Sequence, residues 1–214
     1  MGSICYIVGA APLDGRLPQP GPGDFLIAAD AGYTALASAG IVPDLVIGDY
    51  DSLGTAPEHP NVISHSPIKD DTDSILAIRY ALEHGFREFA LYGMLGGARL
   101  DLSVASFQTL QFLRMHAAHG TLFGAGWNVT LLEGGTLRFP AEASGRFAVF
   151  CAGAPCTGVT LRGFAYTMEH GTVAGTFPIG VSNRFVGTRA SVSVEKGMLY
   201  VLWQGDTRPE EVLT

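Results

Sequence analysis

Short apolar runs alternate with helix-like segments through the first half of the chain, and no other feature constrains the fold as strongly. Ile4–Val8, Phe25–Ala29, Leu45–Gly48 and the runs at 89–92 and 122–124 are bounded by Gly, Pro or Asp, as strands buried on both faces are. Residues 33–39 read as a short helix closed by Gly40. A longer helix starts at Asp73 or Ser74 and runs to His84, with Ile75, Ile78 and Leu82 on one face and Gly85 as its stop. A third is expected over 102–119, with Val104, Phe107, Leu110 and Leu113 inward and Gly120 ending it. Residues 12–23, rich in Pro and Gly, form a loop. The expected architecture is α/β, an open, mostly parallel sheet with flanking helices.

The texture changes near Gly126. Strand-like stretches at 129–133, 136–139, 147–151, 159–162, 190–194 and 199–203 follow, separated by turn residues, with Glu195-Lys196-Gly197 expected as the last hairpin turn. No segment there has helical periodicity. This predicts two domains, 1–126 (α/β) and 127–214 (an antiparallel β-sandwich).

Composition narrows the function. The chain has 214 residues, 47% of them hydrophobic, which is enough for a large core. A net charge of −7 gives no general attraction to nucleic acid or anionic lipid. The cysteines, Cys5, Cys151 and Cys156, have neither disulfide-scaffold nor zinc spacing. The N-terminal run breaks at Gly9 and Pro12 and lacks a basic flank, so it reads as a strand and not a signal peptide. No apolar stretch reaches ~18 residues. A cytoplasmic protein is expected.

Acidic residues follow the strands. Asp30 ends the second, Asp49 and Asp51 follow the third, Asp70, Asp71 and Asp73 precede a helix, and Asp101 lies beyond the fourth. Ligands bind at the carboxyl edge of such sheets. Converging carboxylates repel unless a cation stands between them, and hard oxygen donors with substrate phosphates suit Mg2+. Any one of these aspartates alone is a turn or cap residue; four groups on one edge point to a site. Gly93, Gly96 and Gly97 let backbone amides approach an anion, and Arg99 adds a donor fork, though the same run also reads as a plain loop. Ser182 and Asn183 beside Phe185 offer donors and acceptors for a heteroaromatic ring, or simply bond backbone in a turn.

The stretches ADAG, GIVPDLVIGDYDSL, KDDTDSILAIRYALEHG, GMLGGARLD and GVSNRF, in that order, resemble the thiamine diphosphokinase (thiamine pyrophosphokinase) family over nearly the whole chain. The resemblance implies diphosphate transfer from ATP to the thiamine hydroxyl, with AMP released. It implies that Asp30, Asp49, Asp51, Asp70, Thr72, Asp73 and Asp101 serve magnesium and phosphate. The mechanism expected from the residues puts Mg2+ on Asp49, Asp51 and Asp73, Gly96 and Gly97 toward phosphate, and catalytic roles on Asp73, Arg99 and Asp101. Asp101 would orient the hydroxyl or accept its proton. Thiamine recognition falls to Ser182 and Asn183, in a homodimer with active sites at the subunit interface. Three departures stand out: Ala31 replaces the middle residue of D-G-G, the glycine loop has one additional residue, and Leu102 replaces the usual histidine. Other readings remain: a diphosphokinase for another hydroxymethyl heterocycle such as a pterin, a non-catalytic nucleotide-binding protein, or a metallophosphohydrolase.

Overall fold

The computed structural model describes residues 2–49, 58–65 and 71–212. The chain divides into two compact units, Met1–Ala125 and Gly126–Thr214.

The first unit contains β1 (Ile4–Val8), β2 (Phe25–Ala29), α1 (Gly32–Ser38), β3 (Leu45–Gly48), β4 (Val62–Ser64), α2 (Asp73–Glu83), β5 (Glu88–Tyr92), α3 (Leu100–Met115) and β6 (His119–Gly124). The strands pair in parallel in the order β4-β3-β2-β1-β5-β6. Successive side chains along a strand face opposite sides. Tyr6, Val8, Leu26, Ala28, Val46, Ala90 and Tyr92 therefore pack with Leu36 of α1. On the other face Phe25 stacks on Tyr80 of α2, and Gly120 lies under Leu110 and Leu113 of α3. Arg79 of α2 rests on the Phe112 ring of α3, 5.1 Å from its centroid, so α2 and α3 share that face.

The third helix departs from expectation. It spans 100–115, not 102–119, and Val104 is 58% exposed while Phe107 is only half-buried. Ser106 and Thr109 take the inward positions beside Leu110 and Leu113. Ser106 Oγ donates to Met94 O (2.7 Å) and Leu102 O (2.8 Å), which meets the bonding need of a buried hydroxyl. The helix stops because Ala117 adopts a left-handed φ of 52°. Nothing in His116-Ala117-Ala118-His119 signals that stop, since alanine favours helix.

The second unit comprises β7 (Trp127–Glu133), β8 (Thr136–Phe139), β9 (Arg146–Cys151), β10 (Cys156–Arg162), β11 (Met168–Val173), β12 (Asn183–Arg184), β13 (Ala190–Ser193), β14 (Met198–Trp203) and β15 (Glu210–Val212). Four strands pair antiparallel as β7-β14-β9-β12, and five as β11-β10-β13-β8-β15. Leu132, Phe147, Val149 and Trp203 from the first set and Leu137, Phe139, Val159 and Val192 from the second make one core. This is a sandwich, and no helix occurs among its described residues. The expected hairpin at Glu195-Lys196-Gly197 is not one. Because β13 pairs with β8 and β10 while β14 pairs with β7 and β9, that turn carries the chain between sheets.

Among the described residues, no helix is long and apolar enough to cross a membrane.

Candidate active site

The parallel sheet reverses its winding at β1, whose partners β2 and β5 lie on opposite sides. Such a switch point opens a crevice at the carboxyl edge. Gly9 N donates to Tyr92 O and Ala11 N to Gly93 O, each at 2.8 Å, so the two strand ends stay joined at its floor. Gly93 has φ 61°, and an added Cβ would strike Gly9 O. Only glycine accepts that conformation and that approach cheaply. The cleft above, about 130 Å³, is lined by Ala10 and Ala11 after β1, Asp30 after β2, Gly93 and Met94 after β5, and Leu102, Ser106 and Thr109 of α3. Thr72, Asp73 and Ser74, at the start of α2, complete it.

Local sequence explains how the acidic groups arrive there. Asp30 takes a left-handed φ of 46°, its N–H donates to Ile47 O at 2.8 Å, and its carbonyl accepts from Tyr33 N at 3.1 Å. Aspartate tolerates that conformation better than most residues. Its Oδ1 is shielded from solvent. Ala31 then caps α1 with φ −61°, so alanine costs nothing where the family pattern has glycine. Gly32 is constrained differently, because a Cβ there would collide with Val8 O and C. Thr72 caps α2, its Oγ1 accepting from Ile75 N at 3.3 Å. Asp73 is thereby the first helical residue, where the helix dipole favours negative charge. Asp71 is held aside by Arg79 at 2.9 Å. Asp49 directly follows β3, next in the sheet to the strand that ends before Asp30. Asp51 and Asp70 lie outside the described residues.

Arg99 and Asp101 meet each other and do not line the cleft. Arg99 Nε and Nη2 donate to the two carboxylate oxygens of Asp101 at 2.9 and 2.6 Å, and both side chains are about two-thirds exposed. The Arg99 hydrogen bonds hold the Asp101 carboxyl down at about 2. A group so acidic is a poor proton acceptor at neutral pH while the fork lasts. Gly96 and Gly97 are left-handed, φ 81° and 77°, and Gly96 N already donates to Ser103 Oγ at 2.9 Å.

Ser182 and Asn183 belong to the second unit. Ser182 is exposed, with φ 62°. Asn183 is buried, and its amide is committed to backbone: Nδ2 donates to Tyr166 O at 2.7 Å, and Oδ1 accepts from Tyr166 N (3.0 Å) and Arg184 N (2.9 Å). The Asn183 amide thus holds backbone in place, while the Ser182 side chain faces solvent. Asn183→Ala leaves both Tyr166 backbone groups without these partners and is expected to cost about 1–3 kcal/mol, read as a lower urea midpoint at unchanged slope.

The thiamin pyrophosphokinase catalytic-domain model matches residues 22–119, and the thiamin pyrophosphokinase vitamin B1-binding-domain model matches residues 136–199. The chain belongs to the thiamin pyrophosphokinase family. Together the two matches cover well over half of it. A thiamine pyrophosphokinase of Bacillus subtilis is 26% identical over 188 residues, 84% of this chain and 87% of that protein. Among solved structures, the B. subtilis thiamine pyrophosphokinase superposes with a TM-score of 0.83 at 23% identity, over 95% of this chain and all of that one. The Geobacillus thermodenitrificans protein gives 0.78 at 24% identity, over 95% and 98%. The yeast enzyme gives 0.75 at 15%, over 95% and 87%. At these identities the structures speak for the fold.

As a thiamin pyrophosphokinase family member the chain is an ATP-dependent diphosphotransferase. Its described residues bring Asp30, Thr72 and Asp73 into one cleft and leave Arg99 and Asp101 paired outside it. Ser106 and Thr109, which line that cleft, were missed by sequence reasoning because small hydroxyl residues inside a helix carry no signal of their own. Among the described residues no three His, Cys, Asp or Glu side chains stand close enough to hold a metal by themselves. A larger hollow of 680 Å³ opens at the opposite, amino edge, lined by Phe25, Val42, Asp44, His59, Asn61 and Tyr80 among others. Its carboxylate is engaged, since Asp44 Oδ2 accepts from Leu26 N at 2.8 Å. The smaller cleft fits phosphate chemistry better, because it combines carboxylates, a helix N-terminus and the switch point.

Proposed function

We propose that diphosphate passes from ATP to the thiamine hydroxyl at the cleft between β1 and β5, giving thiamine diphosphate and AMP. The observation that carries this reading is the convergence of Asp30 and Asp73, from distant parts of the chain, beneath the start of α2. Mg2+ fits this donor set, because it takes one or two carboxylates and completes its shell with water and substrate phosphate. Asp73 and Asp30 would hold it, with Asp49 and Asp51 from the neighbouring strand end. Once bound, it would neutralise charge on the transferring group.

The remaining work belongs to the chain. The first-turn amides of α2 and the hydroxyl of Thr72 face the phosphates, and Asp70, two positions earlier in the sequence, is assigned a phosphate contact with them. Arg99 exchanges Asp101 for a phosphate oxygen, a partner its planar fork suits equally well. Asp101, released from that fork, regains ordinary basicity and orients the thiamine hydroxyl. Gly96 and Gly97 permit the loop to follow. Positioning and charge neutralisation carry most of such a transfer. In the second unit Ser182 addresses the heterocycle, and Asn183 fixes the backbone around it. Phe177, Ile179 and Val181 are exposed just before these residues in sequence, as is Tyr166, which Asn183 clasps, and exposed apolar side chains of that kind support a homodimer with the site at the subunit interface. Three free thiols and a net charge of −7 suit a cytoplasmic enzyme with no nucleic acid or membrane partner.

The test is AMP release from ATP, with Mg2+ or with excess EDTA, and with thiamine or a hydroxymethylpterin as acceptor. AMP equal to thiamine consumed, abolished by EDTA, is expected. Mg2+-dependent AMP release only with the pterin, or nucleotide binding without AMP, overturns the reading.

A further inference from the structure

Two of the three free thiols stand at one end of the sandwich. Cys151 closes β9 and Cys156 opens β10, strands of different sheets joined by only four residues. Cys151 shares the side of β9 that carries Phe147 and Val149, and it packs against the core cluster containing Cys156. One carbonyl ties the two positions together. Met198 O accepts from Ala152 N at 2.8 Å and from Cys156 Sγ at 3.0 Å. Cys151 lies opposite Leu199, the residue after Met198. Burial, followed by the charge of neighbouring Cys151, pushes the Cys156 thiol up to about 11. The two differ in access, for Cys156 is fully buried and Cys151 only partly. This arrangement suits one sulfur to meet an oxidant and the other to resolve the product.

We infer that Cys151 and Cys156 form an oxidisable dithiol that closes to a disulfide between the two sheets when a peroxide reaches Cys151. The Cys151 thiolate attacks hydrogen peroxide, the O–O bond breaks, and a sulfenic acid and hydroxide result, the hydroxide taking up the proton the thiol had given up to become one water. The Cys156 thiolate then attacks that sulfur, the S–O bond breaks, and hydroxide leaves and is protonated to a second water. Two thiols lose two electrons and two protons, and the peroxide is reduced to two waters. The second step quickens as pH rises, because the resolving sulfur reacts as thiolate. Gly175 abuts Cys151 Sγ, an added Cβ there lying 3.6 Å away.

The experiment treats the intact protein with hydrogen peroxide at pH 7 and pH 9, alkylates under denaturing conditions, and weighs the peptides. The expected result is a peptide carrying both cysteines that has lost two hydrogens and takes no alkyl group. Cys5, buried in the parallel sheet, remains alkylated, and closure is faster at pH 9. Cys156→Ser should instead leave a sulfenic acid on Cys151 that dimedone captures. A wild-type peptide in which Cys151 gains oxygen while Cys156 is still alkylated would overturn the proposal, as would full alkylation of both. The wild-type measurement decides even if the variant fails to fold.

Discussion

Replacing Asp73 with asparagine is expected to lower kcat by about 10²–10³-fold, the usual cost of removing one group that answers transition-state charge. Stability should hardly follow. Asp73 is the first residue of α2, and Thr72 rather than Asp73 caps the helix. The helix dipole's share of the loss is about 0.3–1 kcal/mol. Steady-state AMP formation and a thermal melt on the same preparation separate the two effects. A large fall in melting temperature with a proportionate fall in activity would make Asp73 structural. Unchanged kcat would remove it from the site altogether.

Gly32→Ala is expected to act the other way round, through the fold. In a helix alanine is favoured over glycine by about 1 kcal/mol, so propensity alone predicts a gain. The collision with Val8 O and C outweighs it, because the obstacle is backbone of the central strand and cannot turn aside. Overpacking of that kind costs about 3 kcal/mol. Any relief moves α1 away from β1 and carries Asp30, two residues earlier, out of the cleft. Denaturant unfolding should show the loss, and activity should fall with it. Ala31→Gly is the matched control. Ala31 has φ −61° and no need of glycine, so the change should cost at most about 1 kcal/mol.

The parallel sheet was legible in the sequence because strands buried on both faces must be nearly continuous apolar runs, and Ile4–Val8, Phe25–Ala29 and Leu45–Gly48 are such runs. β4 and β12, three and two residues long, fall below what periodicity resolves. β11 carries Glu169 and His170 on an exposed edge and lacks the alternation of a half-buried strand. Turn residues mark where the chain bends, but not which sheet receives it, and for that reason Glu195-Lys196-Gly197 looked like a hairpin. The face of α3 was misjudged because Ser106 and Thr109 reach inward to backbone carbonyls while Val104 meets solvent. At the candidate site, acidic residues after strands pointed to the carboxyl edge of the sheet, where Asp30 and Asp73 share a cleft. Partnership could not be read the same way. The clasp of Asn183 on Tyr166 across 17 positions depends on where the chain folds back, and the fork between Arg99 and Asp101, two residues apart, on local side-chain conformation; residue type records neither.

The central claim is that Asp30 and Asp73 gather around one divalent ion beside the phosphates. Crystals grown with Mn2+ and a non-hydrolysable ATP analogue test it most directly, through the anomalous signal of the metal. A peak bonded to carboxylate oxygens of Asp30 and Asp73 and to the phosphate chain is predicted. A metal seated elsewhere, against Asp44 at the amino edge or on Asp101 with both cleft aspartates unligated, would contradict it.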